Sequence, residues 1–339
     1  MDKTEAYYNL NDLIASYEFV NVCPTPKLNH IIMKNFSLSI YTIWETYIKS
    51  FMYDTYVQNE ELIYTEKFVA NYFKKLFNKN YTKNIFIENL NLPNINRDIM
   101  FHSNNINWYE FQAFVELLGF DINKLKSNLK ANSELIQLLG LLQIKGIMPS
   151  YNKQNVEKDL DIKKIIGYIQ MIVENRNSIS HSYRQYLDEI IDAHKAKYIV
   201  NFIKIIIKEI DIFIKQELIK LLYDNGKFKD YTVIQNIIKA CNGNIDQSAI
   251  VEINWPTDEP VPSKLYLRDE SNNIKEIEIV NITYKRAALK AIHAGIALAI
   301  EIRCDMRIKK RKNYVICGRM LPLEKMKIVN PYYNVIDFD

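Results

Sequence analysis

Glycine is scarce, with 8 in 339 residues. The glycine-rich phosphate loops of nucleotide-binding α/β folds need several glycines at fixed spacing, and neither GxGxxG nor a GKT-type run occurs. Cysteine is equally thin. Cys23, Cys241, Cys304 and Cys317 form no CxxC, so neither a zinc ribbon nor a disulfide framework is expected. A reducing cytoplasm is the compartment that fits. His30, His102, His194 and His293 are scattered, and no HExxH or HxH spacing is present, so no metal and no cofactor is expected.

Long apolar runs are also missing. The most hydrophobic stretch, Tyr198 to Tyr223, is interrupted by Lys204, Lys208, Lys215 and Lys220. It reads as an amphipathic helix and not a membrane span. The opening MDKTEAYYNLNDLI lacks a basic segment followed by an apolar core, so no signal peptide is expected. Charge of either sign is not in large excess. The formal net charge of +4 permits a nucleic-acid partner without requiring one.

What is present is helical periodicity. Over Asn35 to Tyr56, Phe36, Ile40, Ile43, Tyr47 and Phe51 recur every three or four residues, which puts an apolar stripe on one face. Further helices are expected over Glu61 to Phe77, Asn107 to Leu118 and Ile122 to Leu139. Irregular connections are expected over Asn78 to Ile106 and Gly140 to Lys158. Asp161 to Ser182 reads as the next helix. Tyr186 to Leu222 follows, with Ile199, Ile203, Ile206, Ile210 and Phe213 in 4-3-4-3 spacing.

After Gly226 the period changes to two. Ala249 to Trp255, Lys264 to Arg268 and Ile274 to Tyr284 alternate, with a turn at Asp269 to Asn273. Lys285 to Ile302, rich in Ala and Ile, reads as a buried helix, and short strands are expected at Tyr314 to Cys317 and Met326 to Val329. The expected fold is mainly α. A helical domain over 1–228 precedes a small α+β domain with an antiparallel sheet over 229–339.

The segment with chemistry in it is Glu174-Asn175-Arg176-Asn177-Ser178-Ile179-Ser180-His181-Ser182-Tyr183. Cleaving RNA without a metal takes a base for the 2′-hydroxyl proton, an acid for the leaving 5′-oxygen and a cation to hold the phosphate. Histidine titrates near working pH and suits both transfers. Arginine stays protonated and grips phosphate oxygens with two parallel hydrogen bonds. Asn177 and His181 are four apart and share a helix face, whereas Arg176 and His181 lie about 140° apart on a regular helix. Either the helix ends or bends near Ser180, or two copies of the chain pool their residues.

This segment resembles the HEPN superfamily (higher eukaryote and prokaryote nucleotide-binding domains). Its signature is R-x4-6-H with a polar residue, often Asn, after the Arg, at the end of a helix that another long helix follows. Ile43-Trp44-Glu45-Thr46-Tyr47-Ile48-Lys49 looks like the opening helix of several prokaryotic HEPN groups. The resemblance implies an N-terminal HEPN-like helical bundle and a homodimeric, metal-independent endoribonuclease, a toxin or antiviral effector. Arg176 and His181 would be catalytic, Asn177 would shape the site, and Glu45 with Lys49 would support it. Arg176-x4-His181-x-Tyr183 also matches HEPN toxins silenced by a nucleotidyltransferase antitoxin that adenylylates the Tyr. Ser182 stands where the family often has Gly.

Two readings compete with the enzyme: a non-catalytic helical dimerisation or binding module, and a regulatory subunit that docks a partner. Separately, Arg303 to Lys312 (RCDMRIKKRK) gathers cations directly after the expected C-terminal helix. Arg307, Lys309, Lys310, Arg311 and Lys312 either contact RNA phosphates or complement that helix's negative end.

Overall fold

The computed structural model describes residues 1–20, 26–63, 68, 105–151, 157–181, 193–243, 247–256, 261–262, 264–285, 287–293 and 295–319. The chain divides into two compact units, Met1–Ile214 and Lys215–Asp339. Helices build the first and an antiparallel sheet dominates the second, so the class is mixed α+β and not the expected mainly α.

The helices are α1 (Lys3–Val20), α2 (Pro26–Gln58), α3 (Glu60–Ile63), α4 (Trp108–Leu117), α5 (Ile122–Ala131), α6 (Ser133–Ile144), α7 (Leu160–His181) and α8 (Ala193–Asp224). The expected helix over Asn35 to Tyr56 lies inside α2, whose Phe36, Ile40, Ile43, Trp44, Tyr47, Ile48 and Met52 are buried. α1 was not among the expected helices; Ala6 and Leu10 fix it to the core. The expected helix over Glu61 to Phe77 lies largely outside the described residues.

Asn107 caps α4 by accepting from the amides of Tyr109 and Glu110, at 2.9 and 3.0 Å. The expected helix over Ile122 to Leu139 is two helices. At Asn132 the backbone is extended (ψ 103°) and its side chain caps α6, accepting from the Leu135 amide at 2.9 Å. Asn prefers such a cap to a helix interior because its side chain competes for backbone donors. α6 then runs through Gly140 to Ile144, into what was expected to be loop.

The expected helix over Asp161 to Ser182 is seen as α7, which packs on α2. Ile162, Ile165, Ile166, Ile169, Ile172 and Val173 form its buried face. At Gly167 a Cβ would lie 2.7 Å from Pro149 Cβ, so glycine there lets residues 149–151 lie against the helix. In α8 all five residues of the 4-3-4-3 stripe are buried. Among the described residues no helix is long and apolar enough to cross a membrane.

The strands are β1 (Phe228–Val233), β2 (Asn236–Lys239), β3 (Ser248–Asn254), β4 (Leu265–Asp269), β5 (Ile274–Tyr284), β6 (Ala287–Leu289), β7 (Ala297–Arg303) and β8 (Tyr314–Arg319). Hydrogen-bonded neighbours follow the order β1-β8-β4-β5-β7-β3-β2, all antiparallel, with β6 appended to β5. β1 and β2 are one bent stretch. The Ile234 amide donates to Tyr314 O and the Gln235 amide to Glu252 O, each at 2.9 Å. The two ends of the order are therefore the same piece of chain, and the sheet closes on itself as a barrel. Register shifts at Asp230/Thr232, Ile237/Lys239 and Ile279/Asn281 fall in the strands that change partners, where bulges permit the bend.

Alternate residues fill the interior: Val251, Ile253, Leu265, Leu267, Leu298, Ile300, Ile302 and Ile316, with Trp255 stacked on Tyr231 at 5.0 Å. The last turns of α8 cover part of the outer wall, where Ile219 and Tyr223 meet Tyr266, Ile274 and Cys317. The turn expected at Asp269 to Asn273 is present. Asp269 Oδ1 accepts from the Ser271 and Asn273 amides, and Asn272 takes φ 59°.

The helix expected over Lys285 to Ile302 is replaced by β6, a loop and β7. Leu298, Ile300 and Ile302 point inward at a spacing of two and pair with β3 and β5. The Ala-rich composition favours helix locally, but two neighbouring strands satisfy this segment's backbone and decide otherwise. The strand expected at Tyr314 to Cys317 is β8; the one at Met326 to Val329 lies outside the described residues.

Candidate functional site

The last two turns of α7 carry Arg176 and Asn177. Arg176 is partly buried, and among the described residues its guanidinium meets Asn177, Asn105 and Tyr41. Nη1 donates to Asn177 Oδ1 at 2.9 Å and to Asn105 Oδ1 at 3.3 Å. Its carbon stands 5.3 Å from the centre of the Tyr41 ring, close enough for a cation–π contact. The cation is thus held by helix α2, by the segment before α4 and by its own neighbour.

Tyr41 is the hub of this arrangement. Its hydroxyl accepts from the Ile106 amide at 3.0 Å, and the Glu45 carboxylate lies near enough for its charge to act on the phenol. Burial pushes this phenol up to about 12; the Glu45 charge adds to the rise, and the Ile106 amide and Arg176 oppose it. The Trp44 indole donates to Ile106 O at 2.8 Å, so both backbone groups of Ile106 are tied to α2. Residue 105 is therefore fixed where its side chain can reach Arg176.

Glu45 and Lys49 form an ion pair at 2.7 Å, four residues apart on α2. Its intrinsic contribution is small, about 0.3–0.5 kcal/mol for such helix pairs. Its place is more informative, because the pair lies on the same face of α2 as Tyr41, whose ring meets the Arg176 guanidinium. The structure brings together Arg176, Asn177 and, through Tyr41, Glu45 and Lys49.

His181 is the last residue of α7, which is helical throughout from Leu160. Its side chain is outside what the structure describes, as is all of Tyr183. A regular helix turns about 140° between positions 176 and 181.

Tyr41 and Asn105 were missed by the sequence reading. Tyr41 had a signal, since Tyr41, Glu45 and Lys49 repeat every four residues on one helix face. Asn105 had none, as it lies 71 residues from Arg176.

Arg307, Lys309, Lys310, Arg311 and Lys312 belong to the barrel unit and are all exposed. They follow strand β7 and not a helix, so the expected role of complementing a helix end falls away. Among the described residues no group of three or more His, Cys, Asp or Glu side chains is placed to hold a metal ion. No protein-family model, no curated protein and no solved structure matches the chain.

Proposed function

We propose that the chain is a metal-independent endoribonuclease of HEPN type, whose helical unit is a HEPN-like bundle acting as a homodimer. The observation that carries this reading is a guanidinium held by Tyr41, Asn105 and Asn177, five residues before a histidine that closes the same helix. In the reaction the 2′-oxygen attacks phosphorus while the bond to the 5′-oxygen breaks. His181 handles the protons, and Arg176 offsets the charge that builds on the phosphate. The products are a 2′,3′-cyclic phosphate and a 5′-hydroxyl.

Positions 176 and 181 lie about 140° apart around a regular helix, so two copies supplying one Arg-His pair between them fit the reading. A toxin or antiviral effector of this kind needs a silencing partner, and Tyr183 is the residue a nucleotidyltransferase antitoxin would modify.

The test is cleavage of total RNA in excess EDTA by the wild type, Arg176→Ala and His181→Ala. Loss of about 10²–10⁴ in rate for His181→Ala is expected from removing acid–base help. Cleavage that survives both changes, or that requires a divalent ion, would rule the reading out.

One observation favours a second reading. Arg176 is already engaged by Asn105, Asn177 and the Tyr41 ring, as a purely structural tie between α7 and α2 would be. The helical unit is then a binding or dimerisation module, and Arg176→Ala lowers the melting temperature while no variant, wild type included, cleaves RNA.

A further inference from the structure

The turn between β7 and β8 presents cations on a braced backbone. Along residues 306–309 burial alternates, with Met306 and Ile308 turned into the barrel and Arg307 and Lys309 outward. Lys310, Arg311 and Lys312 follow in a tight turn closed by the Lys312 amide donating to Lys309 O at 3.2 Å. The buried Tyr314 hydroxyl braces it from within, accepting from the Lys309 amide at 3.0 Å and donating to Arg307 O at 3.2 Å.

A second stretch of chain braces it from the side. Cys241 and Ile308 form an antiparallel bridge, with amides donating both ways at 3.3 and 3.0 Å. Gly243, at φ +83°, lets this stretch lie against 306–307, where a Cβ would come 3.0 Å from the Arg307 amide nitrogen. The backbone on both sides of Ile308 is therefore held, and the outward direction of Arg307 and Lys309 is held with it.

Five cations thus share this one turn, and among the described residues none of them forms an ion pair. Three carboxylates border them, each already engaged. Glu270 accepts from the Asn313 amide at 3.0 Å. For Asp269, burial works against ionisation, yet hydrogen bonds from Asn273 and Ser271 and the charge of Lys312 hold the carboxyl below its usual range. Asp305 faces Lys275 at 3.9 Å.

Gathering like charges on a fixed backbone costs stability unless a polyanion neutralises them. We propose that this turn is a phosphate-backbone binding element for single-stranded RNA. Exposed cations on a turn contact phosphates, so the element positions a strand by charge and does not select sequence. The turn exposes no apolar side chain to enter a lipid surface, since Met306 and Ile308 are buried, which favours nucleic acid over membrane. The proposal rests on the ribonuclease reading only in taking RNA as the polyanion.

The experiment measures binding of a fluorescein-labelled 20-mer RNA to the full chain carrying His181→Ala, so that the probe is not consumed. The comparison adds Lys309→Glu, Lys310→Glu, Arg311→Glu and Lys312→Glu together, with Lys309→Gln/Lys310→Gln as a milder pair and melting curves for each. The charge reversal is expected to weaken binding at least about tenfold near 0.1 M salt, and each phosphate no longer neutralised lowers the log–log salt slope by about 0.7. A DNA 20-mer of the same sequence should lose affinity in parallel.

Unchanged affinity and salt slope in folded variants would overturn the proposal, as would wild-type RNA binding too weak to measure at low salt. So would charge reversal that releases the protein from phosphatidylserine vesicles while leaving RNA binding intact. Failure of the ribonuclease reading shows separately, as intact RNA in EDTA with the binding slope preserved.

Discussion

In the helical unit Ser37, Ser50, Thr55, Asn59 and Asp211 are buried, whereas in the barrel Thr232 is the one buried polar residue among those described. Tyr7 donates to Lys204 O at 2.7 Å, Tyr168 to Ile147 O at 3.0 Å and Trp44 to Ile106 O at 2.8 Å, so aromatic side chains tie helices to backbone elsewhere in their unit. The barrel has its own ladders to join one strand to the next. The contrast follows from where each element spends its backbone hydrogen bonds. A helix satisfies its donors internally and leaves side chains to connect it to neighbours. A strand spends them on its neighbours, which frees the interior to be apolar and sends cations outward. Arg176 belongs to the first kind of region, and the 307–312 run to the second.

Substitutions can break or sharpen this contrast. The largest effect is expected where both regions behave alike. Ile203→Ala and Ile300→Ala, each in a fully buried position, should cost about 2–5 kcal/mol in urea unfolding. A cost near zero at either site would mean that region is not closely packed.

Gly167→Ala should destabilise by about 1–3 kcal/mol, because its Cβ meets Pro149 at 2.7 Å and the Tyr151 ring at 2.9 Å. Gly140→Ala, where nothing lies within 4 Å, should stabilise α6 by roughly 0.5–1 kcal/mol. Equal signs for the two changes in thermal melts would contradict the packing described at residue 167.

The contrast itself is tested by Tyr41→Phe beside Thr232→Val. The first strands the buried Ile106 amide and should cost about 1–3 kcal/mol; the second removes a hydroxyl that donates to Asn254 O and Val233 O beside a main-chain ladder and should cost about 0.5–1.5. The reverse ranking would show that side-chain ties matter more in the barrel.

The smallest effect is alkaline. Burial raises Tyr7, Tyr41 and Tyr168 from 10.0 to about 12, so their neutral forms are favoured in the folded state. That stabilisation is whole below pH 10 and is lost as pH rises toward 12. Melting followed by helical circular dichroism should fall across this window and more shallowly in Tyr7→Phe; an identical fall in both would remove Tyr7 as a cause.

Much of this was legible where a signal is local. The 3.6 period of α2, α7 and α8 needs only neighbouring residues, and the spacing of Arg176, Asn177 and His181 is likewise visible in the sequence alone. The misses arose where distant chain decides. Ala287, Ala288, Ala297 and Ala299 favour helix until β5 and β3 claim their backbones, and Gly295, at φ +77°, donates its amide to Trp255 O. Asn132 looks like one polar residue in a helix until its extended backbone makes it the cap of another. Tyr41 meets Arg176, and Cys241 meets the basic turn at Ile308, only because helix packing and strand register bring remote positions together.

The closure of the barrel has a consequence for synthesis. Phe228, in β1, pairs with Arg319, in the last strand among the described residues, so the ring has no complete form until residue 319 has left the ribosome. The helical residues up to 214 emerge earlier and are not subject to that wait. For the time it takes to translate about ninety further residues, β1 has main-chain groups with no strand beside them, a state in which nascent sheets are open to mispairing and depend on chaperones.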